Sequence, residues 1–387
     1  MNYEISGSYI SELSSRKLNI KLFLLLILSV VFIPAAYIFV AAVFTESLVK
    51  GRVSLKPINK LHILVYAYLL IGLLSSDYKL ISCVYVIIML LCLYSYTIFK
   101  DSISINDIYK LRNLVFTVSL IVFLFGIMQY FNPDFAMPSK WVDAGEYKLN
   151  KRIYSTFFNP NIFGFYINLI IIFATERLDL KKINLNNSVF LSGLICSILT
   201  FSRTSWLSLI LALFVASLLD KKYIRYALIV SIAIFSADTL LGIGRADPLK
   251  AVGDSSFLYR LEVWKTSIEI IKDNFFSGIG FGTLFMHVGE YSTVVSTKIE
   301  HSHNLYLQIF TETGILGFSI FIIIILNVLK KFKRKLIDEK SKIWVSAFAV
   351  FVMTMVHGLV DSVALTPQIM MLLAMYAGTI DAMNNEH

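Results

Sequence analysis

The sequence predicts an all-α polytopic membrane protein of about twelve transmembrane helices, and three observations lead there. Its 387 residues are 57% hydrophobic and only 16% charged, with a mean hydropathy of +0.72, whereas soluble domains are about a quarter charged. Apolar runs recur from end to end, which implies a single integral membrane domain over 1–387. Basic clusters recur between those runs, on loops that a count of spans puts on one side. The net charge of +9 therefore has a cause in membrane topology and is no sign of nucleic-acid binding. Cys83, Cys92 and Cys196 all lie in apolar runs, so neither a disulfide framework nor a CxxC metal site is expected. The first nineteen residues are polar, and no cleavage site of small residues follows the first apolar stretch. The first span is expected to stay as an anchor.

Each span follows from its apolar run. A helix crossing about 30 Å of hydrocarbon needs about 20 mostly apolar residues. Residues 20–49 are too long for one ordinary span and are interrupted by Pro34, which predicts a hairpin of two short helices. A single kinked helix would lower the count to eleven. Further runs lie at 61–75, 80–99, 114–131, 161–175, 188–202, 204–219, 226–241, 304–329, 343–362 and 366–383. Several are short and must borrow flanking residues.

Charge orients the array. Lys50, Arg52, Lys56 and Lys60 share one loop, and Lys100, Lys110 and Arg112 another. Arg177, Lys181 and Lys182 follow, then Lys221, Lys222 and Arg225, and finally "KKFKRKLIDEKSK" at 330–342. All fall on one side, which is expected to be cytoplasmic; Arg16, Lys17 and Lys21 join them only if 20–49 is a hairpin. The other side receives a loop at 132–160, a tight turn at Arg203, a long loop at 242–303 and the turn after Asp361. In 242–303 six Lys or Arg face seven acids, so these loops lack the cytoplasmic signature.

Within the long loop, Phe257, Leu261, Trp264, Ile268, Ile271 and Phe275 recur at spacings of four and three. They predict an amphipathic helix at about 256–276 lying along the outer surface, ended by the glycines of "SGIGFG". Those glycines do not form a GxGxxG after a strand, which excludes a dinucleotide site. Arg260 lies beside the stripe, where it is either an ordinary solvated residue or part of a site.

The residues suited to chemistry collect on that outer side. Arg203, in "TFSRTSWLSL", has almost no loop around it. It is either an interfacial snorkeller with Trp206 as belt anchor, or a fixed cation at the rim of a cavity. His301 and His303 stand just before a span that Asn304 begins. His303, Leu307, Phe310, Gly314 and Gly317 would share a helix face, whose glycines would let another helix approach. Asn304, Gln308 and Thr311 would form a polar stripe along a hydrated cavity. A neutral imidazole can accept or orient a hydroxyl proton, and Asp361 with His357 offers a carboxylate–imidazole pair; Asp361 is alternatively a helix-end residue facing water. His301-Ser-His303 with His287 or Glu300 is a weak zinc pattern, and no metal is expected.

These motifs as a set resemble the O-antigen ligase and polymerase superfamily. "HNLYLQIFTETGILG" is similar to its H-N-x9-G-x-x-G signature, opened by His303 and Asn304 and closed by Gly314 and Gly317. "RTSWL" fits its R-x-x-x-L element through Arg203 and Leu207. "YRLEVWKTSIEIIKDNFFSGIGFG" resembles its outer-loop arginine, helix and glycine turn, and "STFFNPNIFGFYINL" its Asn-Pro-Asn span start. The likeness covers roughly residues 150–320.

The resemblance implies a membrane glycosyltransferase whose donor is a glycan on polyprenyl (undecaprenyl) diphosphate, with no cofactor, nucleotide sugar or metal. Arg203 and Arg260 would hold the diphosphate, and His303 would activate the acceptor hydroxyl. Asn304, His301, Asp361 and Gln308 would help bind substrate. The setting would be the bacterial inner membrane, with the site on the periplasmic or extracellular face. A repeat-unit polymerase is slightly favoured over a ligase joining glycan to lipid A core. A lipid-linked glycan flippase is the alternative of another class, although no internal repeat supports it.

Overall fold

A computed structural model describes residues 20–50, 60–103, 105–132, 151–179, 181–247, 250, 253–338 and 342–383. Most of the loop expected at 132–160, the polar first nineteen residues and the cluster at Arg52 and Lys56 lie outside them. Every regular element among the described residues is helical. Four helices are long and apolar enough to cross a membrane: α4 (Lys79–Ser102), α5 (Ile105–Phe131), α9 (Lys222–Leu240) and α12 (Leu305–Asp338). Shorter apolar helices are α1 (Ile20–Val31), α2 (Ile33–Val49), α3 (Lys60–Leu74), α6 (Pro160–Thr175), α7 (Leu185–Thr200), α8 (Arg203–Ser217) and α13 (Lys342–His357). Helices α10 (Ser255–Asp273), α11 (Leu284–Tyr291) and α14 (Pro367–Ala382) complete the set. The chain divides into two compact units.

The first unit holds α1, α2, α14 and parts of α4 and α5. Phe32 leaves helical geometry, and Pro34 starts α2, where its missing N–H costs nothing. Lys21 Nζ lies 2.5 Å from Glu46 Oε2 across 25 residues. A continuous helix would hold residues that far apart at ~37 Å, so residues 20–49 fold back as a hairpin. Tyrosine hydroxyls join the other helices: Tyr37 donates to the Pro367 carbonyl at 2.9 Å and Tyr96 to Asp381 Oδ2 at 2.8 Å.

The second unit carries the candidate site residues. At its centre, α6 is buried on all faces from Phe163 to Ile172, as befits a helix that is apolar all round. Its start explains the Asn-Pro-Asn sequence: Asn159 caps the Asn161 N–H, and Pro160 takes the first helical position. Asn168 donates to the Ser205 carbonyl at 2.7 Å, and a Cβ on Gly164 would stand 2.4 Å from Ser205 Oγ. Small and polar side chains thus let α6 and α8 close on each other. α8 also packs on α9 and α13. Trp206 is no belt anchor: it is 4% exposed and donates to the Ser197 carbonyl at 2.8 Å.

The amphipathic helix α10 buries Val263, Thr266, Ser267, Ile270 and Ile271, while Ile268 and Phe275 of the expected stripe are exposed. The larger correction concerns α12. Its helix starts at Leu305, so His303 lies outside it, and it breaks at Gly314 (φ 60°, ψ −167°). Gly314 therefore does not offer a helix-packing face. The segment after α10 approaches the break and pairs with it: Ile279 and Gly280 N–H donate to the Thr311 and Glu312 carbonyls at 3.0 and 2.8 Å. Ile315 and Leu316 N–H donate to the Phe275 and Phe276 carbonyls at 2.8 and 3.3 Å. A broken span at membrane depth survives only where its freed backbone groups find partners, and this loop supplies them.

Contact is too close for a side chain at either side of that junction. A Cβ at Gly278 (φ +73°) would stand 2.4 Å from the Glu312 carbonyl carbon, and one at Gly314 2.4 Å from Phe276 backbone. Gly278→Ala is expected to destabilise the protein by at least about 1–3 kcal/mol. Gly253→Ala, whose Cβ would meet nothing within 4 Å, is expected to be neutral. Thermal unfolding of the two detergent-solubilised variants checks this, and equal melting temperatures would contradict the tight junction.

Candidate functional site

Three chain segments of the second unit converge around Asp361. The first is the turn before α12. His303 has left-handed backbone geometry (φ 52°), uncommon for a residue with a side chain. It is held from several sides: Trp264 Nε1 donates to its carbonyl at 3.3 Å, and the Leu305 N–H donates to the Gly358 carbonyl at 2.7 Å. Asn304 caps α12 by accepting from the Tyr306 and Leu307 N–H groups at 3.0 Å each, and it donates to the Leu359 carbonyl at 2.9 Å. Asn304 thus stitches the histidine turn to the turn that carries Asp361. Gln308, buried and hydrogen-bonded inside the protein, belongs to an internal network rather than to a stripe along a cavity.

Asp361 is buried beneath both imidazoles. Its Oδ1 lies 3.3 Å from His301 Nε2 and 3.3 Å from His303 Nδ1, and the two rings meet edge to face at 4.4 Å. Its Oδ2 accepts from Asn161 Nδ2 at 2.9 Å and lies 3.7 Å from Arg260 Nη2. Burial works to raise the carboxyl, but the hydrogen bonds from His301 and His303 and the charge of Arg260 outweigh it. The group is held well below its ordinary value. His303 is shifted down from 6.5, chiefly by desolvation and against the pull of Asp361. Near neutral pH the site therefore pairs an ionised carboxylate with a neutral His303. Asp361 does not face water, and His357 is not its imidazole partner. His357 is buried edge-on to Phe165, and neither ring nitrogen meets a hydrogen-bond partner among the described residues.

The second segment is the start of α10, which a residue at the start of α8 anchors. Asp254 accepts from the Phe257 N–H at 2.7 Å as the cap of α10, and its other oxygen pairs with Arg203. Arg203 thereby anchors the helix that presents Arg260. The third segment is the start of α6. Asn161 Oδ1 accepts from Ser202 Oγ at 3.0 Å and from Arg152 Nη2 at 3.2 Å. Two donors on that oxygen and a carboxylate on its nitrogen fix the amide's orientation. Through Ser202 and Asn161, the segment bearing Arg203 is joined to Asp361.

The structure thus brings His301, His303, Arg260 and Asp361 into direct contact and links Arg203 to them. Sequence reasoning missed Asp254, Asn161 and Arg152. Asp254 carried a legible signal, a capping aspartate just ahead of an apolar-periodic run. His301, His303 and Asp361 also place three potential ligand atoms within 4.8 Å of one another, a spacing that suits a cation; His287 is elsewhere, bonded through Nδ1 to the Thr283 carbonyl at 3.0 Å. The Arg260 guanidinium beside the same carboxylate already supplies a positive charge there and disfavours a second.

Residues 188–322 match the O-Antigen ligase family. The match supports the resemblance drawn from the motifs, and it spans Arg203, Asp254, Arg260, His301 and His303. Arg152, Asn161 and Asp361 lie outside it yet complete the same cluster. No curated protein matches the chain.

The Asp254 pair can be tested without substrate. Asp254→Asn keeps a capping oxygen and loses the ion pair, whereas Asp254→Ala loses both. Both are expected to lower thermal stability, with Ala the worse by the cap's ~1 kcal/mol. Unfolding curves in detergent give the ranking; an Asp254→Ala variant as stable as the parent would show that Arg203 and Asp254 do not anchor α10.

Proposed function

We propose that this chain is a membrane glycosyltransferase that moves a glycan from polyprenyl diphosphate to an acceptor hydroxyl in surface-polysaccharide synthesis. The observation that carries the reading is the convergence on one buried carboxylate of Arg260, His301 and His303, which with Arg203 lie in the stretch that matches the O-Antigen ligase family. In this reading Asp361 accepts from His303 Nδ1–H and so selects the tautomer whose Nε2 is free. That nitrogen takes the proton of the acceptor hydroxyl as its oxygen bonds to the anomeric carbon. The bond from that carbon to the diphosphate breaks, and the departing diphosphate carries the electron pair. Arg203 and Arg260 stabilise it through charge-assisted, forked hydrogen bonds. No step requires a cofactor.

About twelve spans with the basic loops in the cytoplasm would put this cluster on the external face of the bacterial inner membrane, where a flipped lipid-linked glycan would meet it. We take repeat-unit polymerisation as the reaction. Ligation to lipid A core is the second reading, favoured by the description of the matching family. Deletion of the gene separates them: single repeats capped on core indicate a polymerase, and polymer retained on its carrier indicates a ligase. Unflipped donor accumulating inside would instead indicate a flippase.

His303→Ala, Arg260→Lys and Arg203→Lys are each expected to lower transfer by about 10²–10⁴-fold, with the protein still inserted. Normal surface glycan in cells carrying any one of them would remove that residue from the mechanism. The pH dependence has a definite sign. Because His303 is shifted below 6.5, its neutral form persists under mild acid, and the acid limb of the transfer rate is expected to lie below pH 6.5. An acid limb centred above 6.5 in a purified assay would contradict a desolvated His303 as the proton acceptor.

A further inference from the structure

Glu312 lies in the buried interior, on α12 two residues before its break, and the proposed chemistry does not use it. Its Oε1 accepts from the Gly282 N–H at 2.7 Å and from Gln308 Nε2 at 2.7 Å. Gln308 lies one turn earlier on the same face, and its Oε1 accepts from the Ser302 N–H at 2.5 Å. Ser302 separates His301 from His303. A continuous chain of hydrogen bonds therefore runs from the glycine loop, through Glu312 and Gln308, to the peptide between the two site histidines. The freed backbone groups of the break already have partners in the loop, so closing the break does not require this carboxyl. A buried carboxyl is costly unless hydrogen-bonded, and here its bonds join two segments distant in sequence.

We propose that Glu312 and Gln308 are positioning residues of the transfer site, a hydrogen-bonded pair that fixes the His301–His303 turn against the glycine loop. The inference rests on the function proposed above. It concerns a turn that needs holding, because His303 sits in left-handed geometry that only surrounding contacts maintain. What the pair supplies is acceptor and donor geometry, not charge. Gln308 needs one oxygen towards Ser302 and one nitrogen towards residue 312; residue 312 needs one oxygen that accepts twice.

That requirement can be inverted. In Glu312→Gln the amide oxygen still accepts from Gly282 and Gln308. In Gln308→Glu two carboxyls face each other one turn apart, and one bond is lost or one group must protonate. In the exchanged pair Gln308→Glu/Glu312→Gln, residue 308 accepts from Ser302 and from the new amide, and residue 312 accepts from Gly282. All three bonds return.

The test measures two things on full-length inserted protein: surface glycan per molecule in a deletion strain, and hydrogen exchange over residues 300–304 in detergent. Glu312→Ala and Gln308→Glu are expected to lower transfer by about 10²-fold and to speed exchange at the turn. Glu312→Gln and the exchanged pair are expected to match the parent in both. An exchanged pair that stays inactive with fast exchange overturns the proposal. So does a Glu312→Gln protein that loses transfer while exchange stays slow, since the carboxylate would then act by its charge. Unaltered exchange in Glu312→Ala also overturns it. If the exchange pattern holds but His303→Ala transfers normally, the turn is held as described and the proposed function is what fails, and with it the pair's role in transfer.

Discussion

One buried carboxylate organises the candidate site of the second unit. Asp361 receives both imidazoles on one oxygen and Asn161 with Arg260 on the other, so elements far apart in sequence meet on a single group. An ionised carboxylate removed from water is tolerable only when its lone pairs are met by donors and cations, and this one has four side chains of that kind beside it and the Ser362 N–H as well. The dependence is mutual. Three of these side chains stand at the start of a helix or in a turn, and the fourth lies in the second turn of its helix. Asn161 starts α6, Arg260 lies in α10, and the histidines precede α12. Removing the carboxylate would leave them without their common partner.

The break in α12 solves a second problem of the same kind. A helix that ran unbroken would carry its polar residues straight up the span; opened at Gly314, it exposes backbone groups that hydrocarbon cannot satisfy. The segment 275–280 enters to meet them, and Gly278 and Gly314 are the places where backbone comes too near for any Cβ. The loop that closes the break continues to Gly282, whose N–H meets Glu312. One loop therefore both closes the break and hydrogen-bonds the carboxyl proposed to steady the histidine turn.

Much of this was legible in the sequence, and the part that was not has a physical reason. Hydropathy gives helices because every backbone group in a membrane must be satisfied internally, so the all-helical character followed from composition. Hydropathy does not say which helix face lies inside, because lipid is as apolar as leucine. The stripe of large apolar residues on α10 was therefore read as its significant face, while the buried face includes Thr266 and Ser267. For the same reason an interfacial anchor stayed open for Trp206, and Gly314 passed for a packing surface. Arg203, Arg260 and His303 stood out because a charge or imidazole beside a span has few ordinary explanations. Asp361 stood out with them, but Asp254 and Asn161 did not: Asp254 pairs with Arg203 across 51 residues and Asn161 with Asp361 across 200, and no local periodicity encodes such pairings.

The charges of the cluster bear on how the proposed reaction would proceed in a place poor in water. Arg203 and Arg260 are each paired with a buried carboxylate, Asp254 and Asp361, and His303 is shifted towards its neutral form. Taken together these groups are close to balanced before reaction, which keeps their burial tolerable. Transfer then creates charge of both signs, a proton on the imidazole and an additional negative charge on the departing diphosphate. Each would arise beside its complement, the imidazolium at Asp361 and the diphosphate at the two guanidiniums. Preorganised partners of this kind need no rearrangement as the charge develops, and in a low-dielectric site that is where electrostatic stabilisation is largest. The desolvation that keeps His303 neutral also makes its protonated form depend on Asp361, so the carboxylate that assembles the site is also the group that would let the proton be held there.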